Sequence, residues 1–468
     1  MAMLSVCLRW IDDSFDLWAF SIMLLSTDGS SGTPATPITP GRMKPMGWIR
    51  CALLLILVAF APAVLAGSGN TLPRASAEAL AMADANVALV NSPSAQFINP
   101  ANLVDSEARG PDWEAGVLIG RVDSNFTRST PAGFGAALPG RFESKTQNPV
   151  IPFGAFTFGR SERGTWGVSI ESPHGLEVEW PDGTFSVNLL PFGAPGTADL
   201  ARKAELTVIR VGPAYAYAIN DRWRIGGRVF AQYVDALDEN DVSTASADGW
   251  TAGAQIGVRY KAEKLLFGAA YTSRTNTEVE GTLSNINPAA AGLLIPGPAK
   301  ADILLPDRLQ VGAAFRLRSN LWWELDLDWI GWSYVDELTI IQANGTVANA
   351  GRNNRASEDT LSVRTGVKWQ YKPRLTFYAG VGDDPSPVPD QDVSPIMSML
   401  EKTRLGLGVG YVLKSGLRMD LAYQYIRGHS RDVAATTQDN LAGVDTGVFA
   451  GRYSSDTHVL GVTFRGTF

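Results

Sequence analysis

The chain has 468 residues, a formal net charge of −7 and no basic run, a balance that argues against a nucleic-acid partner. Its 47 Gly, 13 Trp and near-zero mean hydropathy suit strands that are apolar on one face and polar on the other, and exclude a bundle of membrane helices.

In chain order, residues 1–42 fit no export signal, and "RWIDDSFDLW" carries three Asp. We expect translation to start at Met43-Lys44 and residues 1–42 to be an upstream extension outside the mature protein. The run "CALLLILVAFAPAVLA" (51–66) follows Arg42, Lys44 and Arg50 and ends in small residues, Val64 and Ala66. That is the three-part logic of a secretory signal peptide over 43–66, with a mature chain from Gly67. A membrane anchor is the alternative, but the apolar core is short for a span. Cys7 and Cys51, the only cysteines, both precede Gly67, so cysteine-based metal or nucleophile chemistry is excluded from the mature chain.

"AQFINPANL" (95–103) follows an Ala-rich, weakly apolar stretch. Locally, the Asn99-Pro100 step biases Asn99 away from the helical region and starts a turn. From about residue 112, two-residue alternation dominates. "DRWRIGGRVFAQYVDA" sets Trp223, Ile225, Val229, Ala231 and Tyr233 against Arg224, Arg228, Phe230 and Gln232. "LWWELDLDW" sets Trp323, Leu325, Leu327 and Trp329 against Glu324, Asp326 and Asp328. This period belongs to strands.

Many runs reach ten residues, the length a tilted membrane strand needs. Short links near 161–163, 220–222, 261–264, 318–320, 371–373 and 414–416 alternate with long ones near 127–147, 181–203, 237–249, 280–301, 343–356, 386–401 and 431–453. The count between them is 14 strands, an all-β antiparallel transmembrane barrel with short periplasmic turns and long extracellular loops. Trp223, Tyr260, Tyr271, Trp369, Tyr411 and Tyr423 near strand ends suit interfacial girdles. The last strand, "THVLGVTFRGTF", alternates up to Phe468, and its terminal aromatic resembles the signal read by the outer-membrane barrel assembly machinery.

Seven segments in order make the chain resemble the FadL/TodX family of outer-membrane transporters for long-chain fatty acids and other hydrophobic compounds. They are "AEALAMADANVALVNSPSAQFINPANL", "SPHGLEVEW", "YAINDRWRIGGRVFAQYVDA", "GWTAGAQIGVRYKAEKLLFGAAYTSRTNTEVEG", "LPDRLQVG", "DWIGWSYVDELTI" and "GVGDDPSPVPD". The likeness covers roughly residues 70–468. It implies a hatch or plug over 67–108, gated at Asn99, Pro100 and Ala101, inside a barrel over 109–468. It also implies a lateral exit at an inward kink of the third strand, at Ser172, Pro173, His174 and Gly175. Proline cannot donate to a ladder and Gly tolerates a bulge, which suits such a kink. The family's aromatic before that glycine is His174 here, either a core or solvated histidine or a ligand contact.

The loop after the fifth strand, "DALDENDVSTASADG", is short and polar, whereas in the family it helps to capture ligand. Apolar capture candidates here are Phe185, Leu189, Leu190 and Phe192 in one loop and Leu293, Leu294 and Ile295 in another, with Met397, Met399 and Leu400 in a third. They either form a rebuilt capture groove or anchor the loops at the membrane surface.

A fatty acid needs an apolar slot and a cation for its carboxylate. Arg210, Arg224, Arg228, Arg308, Arg316, Arg364 and Lys368 have inward parity. Arg308, Arg316, Arg364 and Lys368 flank the acidic row Glu324, Asp326 and Asp328, and we expect ion-pair ladders there. Arg224 and Arg228 lack such neighbours in sequence and are the carboxylate candidates. We expect no catalytic residues, metal or cofactor: the three histidines, His174, His429 and His458, match no metal-ligand spacing, and a His429-Ser430 neighbour is common by chance. The expected function is passive uptake of hydrophobic molecules, long-chain fatty acids first and aromatic or aliphatic hydrocarbons second. A structural or adhesive barrel or a general porin is the distant alternative. The expected surroundings are outer-membrane lipid and lipopolysaccharide, with the barrel assembly machinery engaged during biogenesis.

Overall fold

In the computed structural model, strands alternate apolar-out and polar-in and close on themselves. The structure describes residues 71–468 except 106–109, 129–138, 162, 288–293, 336, 348–352, 355, 442–443 and 468. The proposed upstream extension and signal peptide lie outside the described residues.

Fourteen antiparallel strands make the wall. They are β1 (Asp112–Arg128), β2 (Val150–Arg160), β3 in two pieces (Gly164–Glu171 and Gly175–Glu179), β4 (Lys203–Ala218), β5 (Trp223–Glu239) and β6 (Thr244–Lys261). Next come β7 (Leu265–Thr272 and Thr275–Ser284), β8 (Gly297–Leu305 and Arg308–Arg318), β9 (Leu321–Ile330) and β10 (Thr360–Lys372). The wall ends with β11 (Leu375–Asp384), β12 (Lys402–Val412), β13 (Arg418–Val433) and β14 (Gly451–Thr467). β1 pairs with β14 from Asp112↔Thr467 to Thr127↔Arg452, which seals the sheet and removes its edges.

The parity read from the sequence holds. Trp223, Ile225 and Val229 are exposed on the outer face, whereas Arg224, Arg228, Phe230 and Gln232 are buried inside. Leu460 and Phe464 face outward beside Tyr423, whose hydroxyl meets His458 Nδ1 at 2.7 Å. One connection differs from expectation. The long loop expected over 237–249 is instead a tight turn, in which Asn240 N–H donates to the Ser243 carbonyl at 3.0 Å. β5 and β6 stay paired up to Glu239↔Thr244 because cross-strand hydrogen bonding does not require apolar side chains, so polar sequence there hid strand.

At the extracellular end the loops carry their own core. Trp180, Phe185, Val187, Trp332, Val448 and Phe449 are buried together there. Phe185 packs edge-to-face on Phe449 with centroids 5.4 Å apart. The hairpin of Asn440–Leu441 with Val444–Asp445 leads into this cover. Burial, reinforced by Asp445, pushes the Asp439 carboxyl up to about 7 while it accepts the Phe449 N–H at 3.1 Å. The folded form therefore binds the proton more tightly than the unfolded one, for which the usual value is 3.8. The loop should be most stable below the unfolded value and lose stability as pH rises from there through about 7. Hydrogen exchange at the Phe449 amide should thus show a larger opening constant at pH 8 than at pH 5, after correction for intrinsic rates. Asp439→Asn should remove the difference, and an unchanged pH dependence in that variant would refute the assignment.

Candidate functional site

The lumen is filled by residues 71–105. Helix α1 (Ala77–Ala81) is capped by Ser76, whose hydroxyl accepts the Ala79 N–H at 3.2 Å. Helix α2 (Ala95–Ile98) ends at Asn99, and Pro100 opens a 3-10 turn, Pro100–Asp105. Asn99 is fully buried. Its Nδ2 donates to the Val87 and Val258 carbonyls, each at 3.2 Å, and its Oδ1 accepts the Ala101 N–H at 3.2 Å. One side chain thereby joins two parts of the lumen segment to strand β6.

Two features of the wall receive this segment. The first is steric. A Cβ built on Gly226 would lie 2.4 Å from the Pro100 carbonyl carbon, and one on Gly257 would lie 2.2 Å from Asn99 Oδ1. Gly380 and Gly406 meet the backbone of Met82 and Ala81 in the same way. The second is polar. Glu324 accepts the Ala88 and Leu89 amides at 2.6 and 3.1 Å, and Asp326 accepts the Val87 amide at 3.0 Å. Lys368 binds Glu78 at 2.8 Å, Gln424 donates to the Leu80 carbonyl at 2.8 Å, and Thr463 accepts the Ala77 N–H at 2.9 Å.

The expected ladder forms in part. Arg308 and Arg364 both bind Asp328, and Arg364 continues to Asp384, which Arg404 also binds. Glu324 and Asp326 turn to the lumen amides instead. Arg316 reaches the Ser319 carbonyl in the periplasmic turn, and Lys368 serves Glu78. The premise for Arg224 and Arg228 needs correction. Arg224 binds Asp105 of the lumen segment at 2.9 Å, and Arg228 binds Glu171 of β3 at 2.5 Å. Their acidic partners are remote in sequence or lie on a strand separated from β5 by β4, so strand-neighbour reasoning missed them. Among the described residues, Arg228 nevertheless keeps Nε and Nη2 without an acceptor while its side chain is only 1% exposed.

The third strand is interrupted between Glu171 and Gly175. Glu171 pairs with Arg210 and Gly175 with Thr207, so four steps on β3 oppose three on β4. Ser172 Oγ donates to the Val208 carbonyl at 2.7 Å across the break. The Pro173 carbonyl accepts the Leu72 N–H at 3.0 Å, and His174 bridges to Thr71. On the other side, the β2–β3 ladder ends at Gly154↔Ile170, although β2 continues to Val150. An interrupted ladder at membrane depth is tolerated where it lines a cavity or is covered by protein, and here the start of the lumen segment lies against it.

Two cavities lie near this break, with no lining residue in common. The upper one, of about 250 Å³, is largely apolar, with Ala204, Ala245, Ala301, Leu305, Trp332 and Met399 among its walls. The lower one, of about 40 Å³, is lined by Thr71, His174, Arg74, Arg210, Arg228 and Arg308 among others. His174 and Trp332 stand edge-to-face with centroids 6.5 Å apart, one lining each cavity. Arg210 is held by Gln232 at 2.8 Å and lies over the Phe230 ring at 4.5 Å. Among the described residues it makes no ion pair. Its role could have been sought from its inward parity opposite Glu171.

The capture candidates separate. Phe185 and Leu189 are buried in the loop core rather than displayed, because each has neighbouring apolar loops to pack against. Leu190 and Ile295 are exposed, and Leu294 enters the upper cavity with Met397 and Met399. Leu293 lies outside the described residues, and Phe192 belongs to the short 3-10 turn Leu190–Phe192.

The family profile described as "Outer membrane protein transport protein (OMPP1/FadL/TodX)" matches residues 57–468. The long-chain fatty acid transport protein of Escherichia coli K12 is 21% identical over 369 residues, covering 68% of this chain and 79% of that protein. Outer membrane protein P1 of Haemophilus influenzae is 23% identical over 233 residues, covering 48% and 49%. A Pseudomonas aeruginosa FadL homologue of known structure superposes with a TM-score of 0.73 at 16% identity, covering 86% of this chain and 100% of that one. The toluene transporter TodX of P. putida gives 0.63 at 17% identity, covering 86% and 99%. These structural likenesses bear on fold alone.

Proposed function

Because the chain belongs to the OMPP1/FadL/TodX family of outer membrane transport proteins, whose members carry hydrophobic compounds across the outer membrane, we propose that this one admits long-chain fatty acids passively. The observation that carries the choice of substrate is an apolar cavity with a cation-lined nook nearby, His174 of the nook facing Trp332 of the cavity. An apolar slot of about 250 Å³ lies near a nook where, among the described residues, Arg210 lacks an ion pair and Arg228 holds two donor nitrogens without acceptors. An acyl chain suits the first and a carboxylate suits the second. A hydrocarbon has no use for the cations.

In this reading Arg224 serves to hold the lumen segment through Asp105, and Arg210 and Arg228 receive the carboxylate. Ligand that reaches the nook displaces Thr71 and Leu72 from the β3 break and leaves sideways, between β2 and β3, into the bilayer. The NPA turn at Asn99, Pro100 and Ala101 keeps the axial route shut throughout.

The test is growth on oleate as sole carbon source in a Gram-negative host that lacks its own fatty-acid transporter and expresses residues 43–468. Growth is the expected result. Failure to grow, with the barrel shown to be folded in the outer membrane, would reject the fatty-acid assignment and direct the same assay to toluene and alkanes.

A further inference from the structure

At the extracellular rim, three strands bring a different chemistry together on the outer face of the barrel. Asp383 is the penultimate residue of β11 and shares the outward parity of Phe377, while Glu401 precedes β12 and shares that of Leu405. His429 comes from β13, at a register shift between Gly428 and Arg431. Two residues of β13 there, His429 and Ser430, oppose one of β14, Ser454, since Gly428 pairs with Ser455 and Arg431 with Tyr453. A bulge of this kind re-aims side chains. Arg431 is thereby turned to the loop residues Asp390 and Ser386, while His429 is left beside the two carboxylates. One ligand atom from each of Asp383, Glu401 and His429 lies within 4.8 Å of the others.

Two further observations bear on what this cluster holds. Neither Asp383 nor Glu401 makes an ion pair among the described residues, although both are half-buried. Arg427 lies across from Thr403 and pairs with neither; Lys402 has the inward parity of Arg404. The second observation is orientation. The Thr403 hydroxyl lies 2.8 Å from His429 Nε2 and donates to Asp383 Oδ1 at 3.3 Å, and the His429 N–H donates to the Glu401 carbonyl at 2.8 Å. Such outer contacts fix ring and carboxylate as they do around metal ligands.

We infer that Asp383, Glu401 and His429 form a divalent-cation site on the outer rim. Two carboxylate oxygens and one imidazole nitrogen suit a borderline cation such as Zn²⁺ over Mg²⁺, which prefers oxygen alone. Three protein ligands leave a coordination position open to the outside. A bound cation ties β11, β12 and β13 together where their loops leave the wall.

The experiment is calorimetric titration of ZnCl₂ into the full chain, purified in detergent micelles without a histidine tag and free of chelator. One saturable site per chain is expected. His429→Gln and Asp383→Asn should each weaken it by about tenfold or more, and MgCl₂ should compete poorly. The absence of a saturable site overturns the inference. So does a His429→Gln chain, folded by circular dichroism, that binds Zn²⁺ as the parent does, or Mg²⁺ binding of equal strength. If either variant fails to fold, Glu401→Gln supplies the same comparison.

Discussion

Gly226→Leu and Gly257→Leu should convert a closed barrel into a conducting one. At both positions the added Cβ would sit well inside contact distance of the NPA turn, 2.4 Å from the Pro100 carbonyl carbon and 2.2 Å from Asn99 Oδ1. At Gly226 the obstacle is backbone on both sides, which cannot swing away as a long side chain could. The wall resists too, because Gly226 is paired on both sides, with Ala216 of β4 and Gly257 of β6. The turn must therefore leave its seat, and with it the Asn99 bonds to Val87 and Val258. Single-channel conductance in planar bilayers reads the result. Gly227→Leu is the control: it has the opposite parity, and its Cβ would meet nothing closer than 3.8 Å. Asn99→Ala should open the channel less often, since it removes hydrogen bonds worth about 1 kcal/mol each rather than forcing a clash. Wild-type conductance in both glycine variants and in Asn99→Ala would refute the gating role of the turn.

The second large effect belongs to Arg210. Leucine there keeps much of the contact with Phe230 and removes the cation. A charge-assisted bond to a carboxylate contributes about 1.5–3 kcal/mol, so oleate uptake by Arg210→Leu should fall by roughly ten- to a hundredfold. Toluene entry, which needs no cation, should change little. The measurement is the ratio of the two uptake rates in the same cells, which cancels differences in expression. Equal loss of both would show that Arg210 supports the wall rather than the ligand, and the fatty-acid reading would lose its main support.

The wall was the most legible part of the chain, and the physical reason is local. Each strand carries its own period of two, so Trp223, Arg224 and Ile225 declare their faces without reference to any partner. Pro173 and Gly175 likewise act on their own backbone, at the interruption of β3. Pairing was less legible. Arg224 looked free because Asp105 is 119 residues away in sequence, and Arg228 because Glu171 lies on the far side of β4. Loop cores were illegible too: Phe185 looked like a displayed apolar residue until the cover containing Phe449 closed over it. The rim cluster draws on three strands and a bulge, so no spacing in the sequence could announce it.

The lumen segment also constrains how the molecule comes into being. It precedes every strand in the chain, yet its bonds reach β5, β9, β10, β13 and β14, the last through Ala77 and Thr463, 386 residues apart. Contacts of such sequence separation form late and slowly. The amides of Ala77, Val87, Ala88 and Leu89 have these wall acceptors only in the presence of β9 and β14. The segment's set of bonds to the wall is complete only once β14, the strand that seals the seam with β1, is in place.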